Sequence, residues 1–101
     1  MKSDLGDKEG AIKDYDKATD LKPDYTLAYF NRGNVKSDLG DREGAIKDYD
    51  KAIDLKPDFA KAYRNRAKEY RIMAVIEGDI TKKEVFIARA EADENKADSL
   101  K

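Results

Sequence analysis

The chain has 101 residues, of which 43% are charged, yet its formal net charge is only −1. A chain of this length forms one domain with a shallow core, which buries about 60–65% of the surface that the unfolded chain exposes. The balanced charge argues against nucleic-acid binding. There is no cysteine and no histidine, which removes disulfides, the common nucleophile–base pairs and the soft metal sites.

Membrane and secretion signals are also missing from the sequence. The first ten residues, MKSDLGDKEG, contain no apolar signal region. No apolar run in the chain approaches the ~20 residues that a membrane span needs. We therefore expect a soluble, cytoplasmic protein that has no membrane partner.

The first segment is predicted to contain the end of one helix and the whole of another. Residues 1–5 resemble the tail of a helix, and Gly6-Asp7 then predicts a turn, with the aspartate placed to cap the next helix. That helix runs from Lys8 to about Leu21, with an apolar stripe formed at spacings of +4 and +3 by Ala11, Tyr15 and Ala18. Pro23 ends it, because proline cannot continue a helical ladder.

The middle of the chain predicts a complete helical hairpin. Helices are expected over about 24–39 and 42–55, joined by a turn at Gly40-Asp41. Tyr29 and Gly33 mark the packed side of the first helix. A glycine there costs ~1 kcal/mol of helix propensity, for which a close approach of the partner helix compensates. The second helix faces back with Ala45, Tyr49 and Ala52.

The last part of the chain departs from this pattern. Its first helix is predicted to run to about Glu77, and the turn at Gly78-Asp79 comes four residues later than Gly40-Asp41 predicts. Thr81 and Glu84 fit a capping box, which predicts that another helix opens there. The end of that helix, EADENKADSLK, is polar all round, and we expect its last residues to fray.

A long internal repeat unites these elements. Residues 2–24 match residues 36–58 at 21 of 23 positions, and Pro23 and Pro57 stand 34 residues apart. A fixed period of this size indicates an array of one supersecondary unit.

The repeated residues resemble the tetratricopeptide repeat. Its places for an aromatic residue, a small residue, an Ala-x3-aromatic pair and a closing proline are occupied by Tyr29, Gly33, Ala45, Tyr49 and Pro57. The resemblance implies an all-α, right-handed solenoid of antiparallel helix hairpins. It divides the single domain 1–101 into a partial repeat (1–24), a full repeat (25–58) and a longer, divergent capping repeat (59–101). Arg32 and Arg66 replace the usual leucine, and Lys36 replaces a tyrosine. We expect these changes to thin the apolar contact within each hairpin.

A row of cations is the first candidate ligand site. Lys61, Arg64, Lys68 and Arg71 follow spacings of +3, +4 and +3, which place them on one helix face. The corresponding places one repeat earlier hold Leu27, Phe30, Asn34 and Ser37. The resemblance implies that both rows line a concave groove for an extended peptide, whose basic wall suits carboxylates. A solvated helix face explains the same spacing equally well.

Two asparagines extend this candidate site. Asn31 and Lys61 match places that related proteins use to clamp carboxylate tails, but Asn65 stands where that clamp has an arginine. We therefore do not expect a complete clamp. Asn31 and Asn65 are also explained as surface or inter-repeat hydrogen-bonding residues.

The resulting interpretation is a protein–protein interaction scaffold that is not an enzyme and uses no cofactor or metal. The Asp-x-Asp pairs lie within predicted helices and lack the spacing of a calcium loop. The alternative is a self-association module. A helix missing its partner leaves Ala11, Tyr15 and Ala18 uncovered, and we expect a homodimer through this N-terminal repeat.

Overall fold

In the computed structural model, residues 4–100 are described, with side chains from Gly6 onward. This part of the chain forms five helices and no strand: α1 (Asp4–Leu21), α2 (Thr26–Asp38), α3 (Arg42–Leu55), α4 (Ala60–Ile76) and α5 (Ile80–Ser99). The predicted all-α class and the middle hairpin are confirmed. Within these residues no helix combines the length and apolar character that crossing a membrane requires.

Two antiparallel pairs, α2–α3 and α4–α5, form the body of the protein. Helix α1 packs on α2, and α3 packs on α4. The main core lies where the two pairs meet, and its buried residues are Phe30, Ala45, Tyr49, Ala52, Phe59 and Ala62. Gly33 allows α2 to approach α3, because a Cβ there would stand 2.9 Å from Cε1 of Tyr49.

The turn between α2 and α3 depends on Gly40. This residue has a φ of 83°, a left-handed conformation that glycine adopts without steric cost. The amide of Gly40 donates to the Ser37 carbonyl at 2.9 Å, and that of Asp41 donates to the Lys36 carbonyl at 2.9 Å. Asp41 then caps α3, since its carboxylate accepts from the Gly44 amide at 3.0 Å. The predicted turn at Gly40-Asp41 is confirmed.

The predicted turn at Gly6-Asp7 is wrong, although its local sequence is the same. Both residues lie inside α1, which is helical from Asp4, and Gly6 does not have a positive φ. At Gly40 the turn is held because α2 folds back on α3. No described helix folds back on α1 from that side, so the helix continues through a glycine at a cost of ~1 kcal/mol. Residues 1–3 of the predicted helix tail lie outside the described residues.

The turn at Gly78-Asp79 is confirmed, but the predicted capping box is not. The side chain of Asp79 caps α5, accepting from the amides of Thr81 at 2.8 Å and Lys82 at 3.2 Å. Thr81 is therefore a helical residue and not the cap. Aspartate directly before the helix satisfies the same free amides that the threonine would have served.

The prediction that the end of α5 is polar all round is also wrong. Within EADENKADSLK, Ala97 is fully buried and Asp93 is 5% exposed. Ala90 of α5 and Ala67 and Ala74 of α4 are buried as well, in two helices that pack on each other. Small side chains allow the two helix axes to approach, so a segment rich in charge still contributes a packed face.

Candidate functional site

The predicted row of cations lies along α4, where all four side chains are exposed. Three of them, Lys61, Arg64 and Lys68, have no carboxylate within ion-pair distance among the described residues. Arg71 differs, because its guanidinium donates to both carboxylate oxygens of Glu94 at 2.6 Å. This contact lowers the pKa of Glu94. Arg71 is thus already neutralised, and three free cations remain.

The row one repeat earlier is less open than the sequence predicts. Phe30 is only 9% exposed, and its ring centroid lies 4.6 Å from that of Phe59 and 5.9 Å from that of Tyr49. The expectation that Phe30 offers its ring to a ligand is therefore corrected, because α4 covers it. Leu27 is 54% exposed and available for contact. Asn31 is half-buried.

Asn34 joins the two hairpins through hydrogen bonds. Its side-chain oxygen accepts from the Tyr49 hydroxyl at 2.6 Å and from Nδ2 of Asn65 at 2.9 Å. The interpretation of Asn65 as an inter-repeat hydrogen-bonding residue is confirmed. Burial raises the pKa of Tyr49 above its usual value, which keeps this donor protonated.

A small cleft brings three of the predicted site residues together. Asn34, Asn65 and Lys68 line it, with a volume of about 130 Å³. This is room for one side chain, since pockets for small molecules hold ~300–1,000 Å³. Two acidic side chains also line the cleft: Asp38 is exposed, while the buried Glu69 is paired with Arg42 at 3.1 Å. Lys61, Arg64 and Leu27 lie outside this cleft.

The arginines at the usual leucine places make a contact that the sequence analysis missed. Arg32 binds both oxygens of Asp48 at 2.9 and 2.7 Å, and it reaches Asp16 of α1 at 2.8 Å. One guanidinium therefore links α2 to the helices on both sides. The ring of Tyr29 lies beneath it, 5.4 Å from the guanidinium carbon.

The same contact recurs in the next hairpin. Arg66 binds both oxygens of Asp93 at 2.9 and 2.7 Å, and it reaches Asp50 of α3 at 2.8 Å. Its hydrogen bond to Asp93 raises the pKa of the guanidinium further above its ordinary value. The signal was present in the sequence, because Arg32 and Arg66, like Asp16 and Asp50, are spaced by the repeat period of 34 residues.

These contacts also fix how α5 corresponds to α3. Asp93 holds Arg66 as Asp48 holds Arg32, so Glu94 stands at the place of Tyr49. Arg64 stands at the place of Phe30 by the period of 34 residues. The outer face of α4–α5 therefore carries an arginine and a glutamate where the matching face of α2–α3 carries two aromatic rings.

Comparisons with known proteins agree with this architecture. The model of the TPR repeat family matches residues 3–40 and 33–70, which together span two thirds of the chain. The chain belongs to the tetratricopeptide repeat (TPR) family. A stretch of 31 residues, 31% of the chain, is 55% identical to Tetratricopeptide repeat protein 6 of Homo sapiens, but it spans only 6% of that protein.

Among solved structures, the crystal structure of MamA resembles this TPR chain with a TM-score of 0.70 and 26% sequence identity. The likeness covers 94% of this chain and 53% of the MamA chain, so the chain spans about half the length of that protein. The predicted solenoid fold is confirmed.

The N-terminal TPR residues chosen for self-association are only partly covered. Ala11, Tyr15 and Ala18 are half-buried. Their counterparts in α3 are almost completely buried, with exposures of 0% for Ala45 and Ala52 and 2% for Tyr49. The difference arises because α2 covers that face of α3, and no described helix covers the same face of α1.

The described residues offer no obvious inorganic site. Within residues 4–100 there is no group of three or more carboxylates, cysteines or histidines that could hold a metal ion. Several of the aspartates are instead taken up in ion pairs with arginine.

Proposed function

We propose that this chain is a protein-binding module whose α2–α4 surface receives an extended acidic peptide segment. TPR repeats generally mediate protein–protein interactions or scaffolding, and such scaffolds are generally not enzymes. The observation that carries the finer proposal is the unpaired state of Lys61, Arg64 and Lys68 among the described residues. Many lysines elsewhere in the described chain are also unpaired, but these three cations lie together on one exposed face of α4, and this clustering favours an anionic ligand.

The neighbouring groups suit such a peptide. Lys68 lines the cleft together with Asn34 and Asn65, where an ammonium group and an amide can both donate to a carboxylate. Leu27 adds exposed apolar surface on the adjacent helix. Asp38 repels a carboxylate inside the cleft, so the peptide's acidic groups belong on the side of Lys68 and Arg64.

The test is fluorescence anisotropy with a labelled peptide that has several glutamates and a free C-terminal carboxylate. We expect weak binding, with Kd on the order of micromolar, about −8 kcal/mol. The affinity should fall between low and physiological salt, because exposed charges are screened within about 8–10 Å. Arg64→Glu combined with Lys68→Glu should abolish binding.

The matched control is Lys82→Glu combined with Lys96→Glu, which makes the same change in net charge on exposed places of α5. This control should bind like the original chain. Binding that survives the α4 substitutions, or that both double variants lose equally, would contradict the proposal.

Self-association is the second candidate function. It is favoured by the half-buried Tyr15, whose counterpart Tyr49 is 2% exposed. Filling this open face with a second chain would produce a dimer, and Tyr15→Lys should shift the population to monomer. Light scattering that finds the mass of one chain over a wide concentration range would exclude this function.

We further propose the domain organisation, the absence of a nucleic-acid partner and the location that the sequence predicts. The module is a single domain, divided into 1–24, 25–58 and a longer cap over 59–101. It has no nucleic-acid partner, because the net charge of −1 provides no general phosphate-binding field. It acts in the cytoplasm.

A further inference from the structure

A second surface, on the outer side of the α4–α5 hairpin, is not explained by the extended peptide. Two shallow clefts there, of about 380 and 200 Å³, share Arg71 and Val75 and together form one groove. We call it the α4–α5 groove. Its other lining residues are Arg64, Lys68, Ile72, Ala74, Lys83, Ile87 and Glu94.

The floor of this groove is apolar and open to solvent. Val75 is 78% exposed. Ile76 and Ile80 line neither cleft, but at 74% and 72% exposed they add apolar surface near the turn between α4 and α5. Ile72 and Ile87 are half-buried beside them. Contiguous apolar surface with a polar rim marks sites of protein association more often than isolated apolar residues do.

The fold itself indicates what shape of partner suits this surface. The matching face of the α2–α3 hairpin is covered by a helix, α4, and Phe59 at its start packs on Phe30 with ring centroids 4.6 Å apart. Arg64 stands at the place of Phe30, and no described helix covers the α4–α5 face. The surface therefore has the form of a helix-receiving face with altered chemistry.

The charges at the rim decide that chemistry. Arg64 and Lys68 of α4 line the first cleft and Lys83 of α5 lines the second, so both helices contribute cations to the groove. None of the three has an ion-pair partner among the described residues. The single carboxylate in the groove, Glu94, is already bound by Arg71 at 2.6 Å. An occupant with carboxylates on both edges would complete the missing pairs.

We propose that the α4–α5 groove binds an acidic amphipathic helix of a partner protein. Its apolar side chains, at helical spacings, contact Ile72 and Val75, and its flanking carboxylates meet Arg64 and Lys83. The distance from Arg64 to Val75 along α4 is about 16 Å, which corresponds to about three helical turns of the partner. This inference rests on the proposed role of the chain as a protein-binding module, and it adds a second ligand class.

The probe is a fluorescein-labelled, alanine-rich helical peptide of ~18 residues with leucines on one face and glutamates on both edges. A control peptide has lysine in place of every glutamate. We expect the acidic peptide to bind at least about tenfold more tightly than the basic one. Equal binding of the two peptides would overturn the proposal.

Two neutral substitutions separate the apolar floor from other effects. Val75→Asn should weaken binding of the acidic helix about tenfold. Val85→Asn is its matched control, since Val85 is also exposed but does not line the groove, and it should have no effect. Lys83→Gln should weaken binding roughly threefold, as expected for one exposed ion pair. No change with Val75→Asn, or the same loss with Val85→Asn, would overturn the proposal.

The same variants distinguish this proposal from the two functions proposed above. Neither Val75→Asn nor Lys83→Gln should affect the extended acidic peptide. If the extended peptide binds and the helical peptide does not, only the helix-binding proposal fails. If the helical peptide binds and the extended peptide does not, the helix-binding proposal holds and the extended-peptide site is excluded. Sedimentation of the chain alone is the last measurement. Self-association that Val75→Asn abolishes would overturn the proposal, because the occupant would then be a second copy of the chain.

Discussion

Replacing Arg66 by leucine, the residue usual at this place in the family, should destabilise the protein. Its removal leaves Asp93, whose side chain is 7% exposed, without a partner. Breaking a buried ion pair in this way costs about 3–5 kcal/mol, and burial of the leucine offsets roughly 1.5 kcal/mol. We therefore expect a net loss of about 1.5–3.5 kcal/mol, which lowers Tm by at least ~6 °C in a domain of this size.

The decisive comparison is the double variant Arg66→Leu/Asp93→Ala, measured by urea denaturation followed by circular dichroism. Removing both charges should restore stability to within about 1 kcal/mol of the original chain, since a buried pair is often neutral relative to apolar residues. Asp50→Ala is the control. Asp50 is 48% exposed, so its loss should cost less than about 1 kcal/mol. A single leucine variant as stable as the original, or a double variant as unstable as the single one, would refute this reasoning.

Three further predictions concern packing and ionisation. Gly33→Ala should cost roughly 1–3 kcal/mol, because its Cβ would stand 2.9 Å from the Tyr49 ring. Gly10→Ala, whose Cβ meets nothing within 4 Å, should instead stabilise by about 0.5–1 kcal/mol; a reversed order of melting temperatures would contradict this packing. Burial raises the pKa of Tyr49, so the stability it contributes is complete below its unfolded pKa of about 10 and is lost as the pH rises above that value. Tyr49→Phe should therefore make the urea midpoint fall less steeply between about pH 10 and 11.5, and an unchanged slope would count against it. Arg71→Ala should raise the pKa of Glu94 toward its ordinary value, which an NMR titration of the carboxyl carbon would detect; an unchanged pKa would mean that the ion pair does not form in solution.

The helices could be predicted because the chain marks them locally. The apolar spacing, the two prolines and the glycine turns gave the middle hairpin to within two residues of Thr26–Asp38 and Arg42–Leu55. The N-cap residue of α5 was harder to predict, since Asp79 and Thr81 are both good capping residues and stand two positions apart. Sequence alone does not decide between two adequate caps.

Identical local sequence also gave two different structures. The segment Asp-Leu-Gly-Asp forms a turn at Gly40 but lies inside the start of α1 around Gly6. The difference comes from α2, which packs back on α3 and holds the left-handed glycine in place. Predicting the second outcome required knowledge of a tertiary contact, which a periodic pattern does not contain.

The sequence predicted the exposed cations of the candidate site but not the burial of Phe30. The exposure of Lys61, Arg64 and Lys68 followed from helical spacing, because all three lie on one face of α4. The burial of Phe30 could not be predicted from helical spacing, since it depends on how one hairpin packs on the next. The spacing of side chains along one helix can be read from the sequence, whereas the contact between hairpins had to be seen in the structure.

The arginines that replace leucine show why free cations are informative in this protein. Arg32 and Arg66 each donate two hydrogen bonds to one carboxylate of their own hairpin. Each also donates one hydrogen bond to a carboxylate on the preceding helix. Ion pairs therefore hold neighbouring helices together where apolar contacts usually do, which reconciles a 43% charged sequence with a packed solenoid. Within α4 this use of charge neutralises Arg66 and Arg71. Of the α4 cations it leaves Lys61, Arg64 and Lys68 unpaired among the described residues. Arg64 and Lys68 border both proposed binding surfaces, and we expect their carboxylate partners on another molecule.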